Sequence, residues 1–199
     1  MADDAFRMNR AAERCAYRLI EACETAVHAA GGRIIYDGSQ LPSDLYGCMV
    51  ANRGGHRTIF VTDEYDDIMF ESVILAHETA HFFDPWLIRV QDRPRSRRET
   101  HQSEMVAHGA SMVLATFYGL DDHYDVGWFE DCIQNHLVHD KYFNESRAYF
   151  RRIDAAANSV LPAEGRQWLW KWRTGPGHLP AEVPLSNRLS SRFEKWLHG

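Results

Sequence analysis

The segment that follows Asp63 or Asp66 and runs to about Phe83 constrains this chain more than any other. It is apolar for most of its length, with Ile68, Phe70, Val73, Ile74, Leu75 and Phe82, and it reads as a largely buried helix. Yet it also carries His77-Glu78-Thr79-Ala80-His81. Burying two imidazoles and a carboxyl without partners is costly, so whatever packs on this helix must satisfy them. An ordinary hydrogen-bond network is one solution; a metal ion is the other, and the spacing favours it. Side chains four apart share a helix face, so both imidazoles can reach one ion. Glu78 follows the first of them and can reach a water on that ion. Two His ligands and an adjacent carboxylate base form the core of a zinc-hydrolase site.

Such a site needs a third protein ligand and one position left open. The next strong helical pattern runs from about residue 98 to 118, with Gly119 as its stop. Its His101, Glu104 and His108 share one face, and the loop before it is long enough for an antiparallel return. Glu104 is the leading third ligand, giving a His₂Glu set. His101 and His108 are the alternatives, and otherwise serve behind the ligands or as donors to a developing oxyanion. Tyr118 and His139 are further oxyanion candidates. Glu99 lies on another face. Asp84 reads as a polar helix end rather than a ligand, and the His136/His139 pair as a solvated helix face.

Around this pair of helices the pattern is α+β. Residues 5–30 read as an amphipathic helix with Phe6, Cys15, Leu19, Ala22, Cys23 and Ala26 on one stripe, stopped by Gly31-Gly32. Residues 33–36 form a short strand, and residues 45–51 and 57–62 a hairpin around Asn52-Arg53-Gly54-Gly55. Asp63 or Asp66 is placed to cap the apolar helix. Further helices are expected over 126–140 and over 144–160, the latter capped by Asn144. Trp168, Trp170 and Trp172 precede an irregular Gly/Pro linker and a short helix with Leu189, Phe193, Trp196 and Leu197 on one stripe.

Composition excludes several classes. The 199 residues, 45% of them hydrophobic, suffice for one sizeable core. A net charge of -6 gives no general attraction to nucleic acid or anionic membranes. No apolar run approaches membrane-spanning length. Met1-Ala2-Asp3-Asp4 lacks the basic and apolar regions of a secretory signal, and the four cysteines are scattered, so free thiols in a cytoplasmic protein are expected.

Residues 41–114 resemble the ImmA/IrrE-type metallopeptidase family, the IrrE N-terminal-like domain. The resemblance is carried by Leu41-Pro42, Gly47, the apolar strand Thr58-Ile59-Phe60-Val61-Thr62, the run Val73-Ile74-Leu75-Ala76 into the His-Glu-x-x-His motif, and Glu104-x-x-Ala107 with Ser111 and Leu114. The chain has Thr79-Ala80 where the family often has Leu-Gly, and it lacks the proline that usually closes the second helix. The resemblance implies a mostly helical zincin-like domain with a small antiparallel sheet over residues 1–162, followed by a helical, tryptophan-rich extension over 163–199 that docks on it. It implies a zinc-dependent endopeptidase (manganese being an alternative ion). His77, His81 and Glu104 would hold the metal and Glu78 would be the catalytic base. The expected partner is a protein substrate, such as the helix-turn-helix repressor of a phage or mobile element, with no membrane and no direct nucleic-acid contact.

Two patterns lie outside that scheme. Arg93, Arg95, Arg97 and Arg98 read as a solvated loop between the two metal-bearing helices, where they can also gate a cleft. The tryptophans read as packing for a small subdomain. Strand 57–62 is the expected edge for an extended substrate. The competing reading of the chain is a catalytically silent metal-binding module that regulates or binds another protein.

Overall fold

The computed structural model describes residues 2–43, 45–52, 55–64, 67–90, 95–120 and 147–174. The elements in chain order are α1 (Ala2–Ala29), β1 (Arg33–Tyr36), a 3-10 turn (Gly38–Gln40), β2 (Gly47–Ala51), β3 (Arg57–Val61), α2 (Ile68–Phe83), α3 (Pro85–Val90), α4 (Arg97–Tyr118), α5 (Arg147–Val160) and α6 (Ala163–Thr174). The architecture is α+β and mostly helical.

α1 buries Ala12, Ala16, Leu19, Ile20, Cys23 and Val27, a stripe at three- and four-residue spacing. It stops at Gly31, which takes the left-handed conformation with φ 77°. Gly32 then passes so close to the Phe82 ring that a Cβ would overlap it. The expected stop is therefore also a packing point between α1 and the end of α2.

The sheet differs from the antiparallel one expected. Its order is β1-β3-β2, with β2 antiparallel and β1 parallel to β3. The reason lies in the side chains of β3. Ile59 and Val61 are completely covered and face the helices, so β3 takes the central position. β2, with Val50 exposed, takes the edge. The expectation that strand 57–62 is an open edge is thereby corrected, since both its sides are occupied.

The long apolar helix ends at Phe83 as expected but starts later than a cap at Asp63 would place it, and Asp66 lies outside the described residues. Asp67 caps it, its carboxylate accepting from Met69 N at 2.9 Å and Phe70 N at 3.4 Å. α4 starts one residue earlier than expected, at a capping box in which the Ser96 hydroxyl and the Glu99 carboxylate each take up a backbone N–H. Gly119, φ 78°, closes it as predicted.

α2 lies at the centre of the molecule, against α1, α4, α5 and one face of the sheet. The core joins Leu19 and Val27 of α1, Ile59 and Val61 of β3, Leu75 and Phe82 of α2, Val106 and Leu114 of α4, and Ile153 of α5. Gly109 lets α5 approach α4, since a Cβ there would meet the Ile153 side chain. In α6, Leu169 is buried and Trp168 stacks on Phe117 at 5.5 Å, while Trp170 is 66% exposed. Cys15, Cys23 and Cys48 are free thiols, as expected. The helix expected over 126–140, the Asn144 cap, Cys132, and the linker and last helix after residue 174 lie outside the described residues. No described helix is long and apolar enough to cross a membrane.

Candidate metal centre

α2 and α4 pack along their length, and this register brings three ligand atoms together. His77 Nε2 lies 3.1 Å from His81 Nε2 and 3.2 Å from Glu104 Oε2. His81 Nε2 lies 3.3 Å from the same oxygen. The three form a nearly equilateral triangle. A tetrahedral zinc site with bonds of about 2.0–2.1 Å has edges of about 3.3–3.4 Å. The donor set therefore fits one ion held by these three atoms. The sequence-derived choice of Glu104 over its neighbours is where the geometry places a carboxylate.

The electrostatics of the cluster point the same way. Burial pushes the Glu104 carboxyl up, but the two imidazoles outweigh it, His81 through charge and both through hydrogen bonds, and hold it well below the usual carboxylate range. Burial pulls the His81 imidazole down, but Glu104, Glu78 and Asp84 outweigh that and raise it. Without an ion, a proton shared with the carboxylate is what offsets the mutual repulsion of these lone pairs. A divalent cation satisfies all three donors at once.

Glu78 is only 8% exposed and lies between α2 and the start of β2. A Cβ on Gly47 would come within 2.6 Å of Ile74 Cγ2 and 2.9 Å of Glu78 Cγ. Glycine is therefore required there by space, and the strand backbone passes directly beside the carboxylate. Hydrogen bonds of Thr62 N to Tyr46 O and of Asn52 N to His56 O fix the hairpin phase. Even-numbered residues of β2 turn their backbone groups towards β3. Gly47, Met49 and Ala51 turn theirs to the outer edge, which is open among the described residues. The edge nearest the triangle is thus β2.

His108 is buried one turn along α4, its ring 4.5 Å from that of His77 and tilted by 55°. It backs the first ligand and does not join the triangle. His101 lies in α4, its side chain outside the described residues. Tyr118 is corrected as an oxyanion candidate. It stands fourteen residues beyond Glu104, about 21 Å along the helix, under Arg18 of α1. His136 and His139 lie outside the described residues, as does Arg93. Asp84 is not a ligand: completely buried, it ends α2, accepts from Trp86 N at 3.0 Å and pairs with Arg152 of α5.

Sequence reasoning missed Ser103 and Arg152. Ser103 Oγ lies 3.0 Å from His81 Nδ1. The side-chain period of α4 does not single it out, because its partner is set by the register between two helices. The Arg152 guanidinium reaches Asp84 across 68 positions of sequence, and no local pattern pairs them. Comparison of the chain with protein-family models, curated proteins and solved structures finds no match.

Proposed function

We propose that the chain is a metal-dependent peptidase in which His77, His81 and Glu104 hold zinc and Glu78 is the general base. The observation that carries this reading is the donor triangle with a buried carboxylate one residue from its first member. An ion bound there supplies Lewis acidity, which lowers the pKa of a water and polarises a carbonyl. Glu78 would serve as the general base, holding a proton taken from the attacking water and giving it to the leaving amine. Burial holds the carboxylate to a narrow range of positions beside β2 and limits competing water.

The open edge of β2 supports a peptide substrate over a small ester or amide. Gly47, Met49 and Ala51 offer backbone groups that no described strand pairs, along a line that starts beside Glu78, and an extended peptide adds to such an edge as a strand. The resemblance to the ImmA/IrrE-type peptidases extends the reading to a regulatory protein as substrate, such as a helix-turn-helix repressor of a mobile element.

The test is Glu78→Gln. It should take up zinc at the wild-type stoichiometry and lose about 10²- to 10⁴-fold in peptide hydrolysis. Turnover unchanged from wild type would remove Glu78 from the chemistry. A wild-type protein that hydrolyses peptides equally well after zinc is stripped by a chelator would remove the metal from it.

A further inference from the structure

The triangle accounts for one nitrogen of each imidazole, and the other nitrogens differ sharply in what they meet. His77 Nδ1 is buried, with no hydrogen-bond partner among the described residues. Its ring is held by packing against the His108 ring. His81 Nδ1 meets the Ser103 hydroxyl at 3.0 Å, with Ser103 completely covered. We infer that Ser103 is the positioning residue of the metal centre, its oxygen accepting the Nδ1 proton of His81 so that the Nε2 lone pair faces the ion. This rests on the metal-binding reading of the triangle.

The argument begins with the proton count of a neutral imidazole, which carries one proton on one of two nitrogens. Which nitrogen is protonated depends on the hydrogen bond that the other environment offers. A proton on Nε2 of His81 would point at His77 Nε2 and Glu104 Oε2, into the space an ion needs. A proton on Nδ1 has an acceptor waiting in Ser103. The hydroxyl thus favours the one tautomer that can ligate.

The backbone makes the arrangement rigid. Ser103 and Glu104 are successive residues of α4, in a regular helix that starts at a capping box. One stands at Nδ1 of His81 and the other 3.3 Å from Nε2. Two neighbouring positions of one helix therefore grip opposite sides of the same ring. Their spacing is fixed by helix geometry, so ring plane and tautomer are set together. His77 has no such grip, which leaves Ser103 as the polar anchor of the imidazole pair. Metal-ligating histidines commonly donate their second N–H to such an acceptor, and losing it weakens metal binding by about 10- to 100-fold.

The experiment uses the full-length zinc-loaded protein with ¹⁵N-labelled histidine. Zinc affinity is read by competition with a chromogenic chelator, and the His81 Nδ1 proton by NMR as a solvent-protected imidazole signal. Ser103→Ala should raise the zinc dissociation constant by about 10- to 100-fold and abolish that protected signal. Ser103→Thr, which keeps a hydroxyl, should restore both. Ser111→Ala removes another buried α4 hydroxyl, one that donates to His108 O at 2.9 Å, and should leave zinc affinity unchanged. Wild-type affinity in Ser103→Ala overturns the inference. So does weakened affinity with the Nδ1 proton still protected, because packing alone would then explain the loss. A wild-type protein that takes up no zinc overturns the metal-centre reading itself, an outcome distinct from either.

Discussion

Gly47 shows how a single residue couples strand and site. Glycine in a strand interior usually weakens it, for lack of a side chain to pack. Here the missing Cβ is what lets β2 lie against Ile74 and Glu78. Gly47→Ala forces that contact apart. Its Ile74 partner is a methyl close to the backbone, with little freedom to swing away. Overpacking of this kind costs about 1–3 kcal/mol. Thermal unfolding should therefore fall by several degrees, and peptide turnover should drop because Glu78 is displaced. Zinc stoichiometry should stay at the wild-type value, since no ligand is touched. An unchanged melting temperature with full turnover would show that the strand does not fix the carboxylate. Ser103 belongs to the same scale: one hydroxyl, invisible to motif reading, decides which tautomer a ligand presents.

α2 is apolar enough to be central and is fixed at both ends by carboxylates. Asp67 satisfies the first free N–H groups. At the other end Asp84 closes the last turn and admits α3, with Pro85 at its first position, where no N–H is needed. The same carboxylate takes the Arg152 guanidinium, Nε at 2.9 Å, and Arg152 lies over the Trp86 ring at 5.0 Å. This joins α2, α3 and α5 three residues beyond His81. Asp84→Ala would take away the carboxylate that the Arg152 guanidinium meets with 14% of its side chain exposed, and removing one partner of a buried pair costs about 3–5 kcal/mol. The expected outcome is a large fall in denaturation midpoint. The double replacement Asp84→Ala with Arg152→Met should recover part of it, because the charge that Asp84 faced is then gone as well. Equal loss in single and double variants would assign the effect to the α2 cap instead of the ion pair.

For the whole molecule, the proposed metal centre would link metal and fold. Three donors from two helices form the centre, so zinc bound to the native state and not to the unfolded chain stabilises α2 against α4. Protons compete for the same atoms, and the signs follow from the shifts. Glu104 is held below its ordinary value in the metal-free protein. Its contribution is present above the ordinary carboxylate range and is lost as pH falls through the depressed value. His81 is raised. Its contribution is present below the ordinary imidazole value and is lost as pH rises through the raised one. The metal-free pair therefore supports the fold most on the acid side of neutrality. Zinc needs the imidazole unprotonated, so its increment does the reverse. The melting-temperature gain on adding zinc should grow as pH rises from about 6 to about 8, across the range where imidazole loses its proton. A gain that shrinks over that interval would contradict the coupling of His81 to the ion.

Local sequence by itself determined α1, α2, α4 and α5, the glycine stops and the candidate ligands, but not the short α3. Periodicity marked α1 and α4, because a buried stripe repeats every three to four residues whatever it packs against, and α2 was marked by being apolar nearly throughout. Gly31 and Gly119 ended two of them through left-handed geometry available to glycine. His77 and His81 were legible from their spacing on one helix, while Glu104 shared its face with His101 and His108 until the register between α2 and α4 set it against them. Tertiary structure alone decided how these pieces meet. It placed β3 between its neighbours and β1 parallel to it, because the most deeply covered strand goes to the middle and no local pattern records that competition. It moved the open edge to β2, and it set Ser103 against His81 and Arg152 against Asp84. Those pairings depend on the register and angle between helices, which arise from packing the entire core at once and have no period in the sequence.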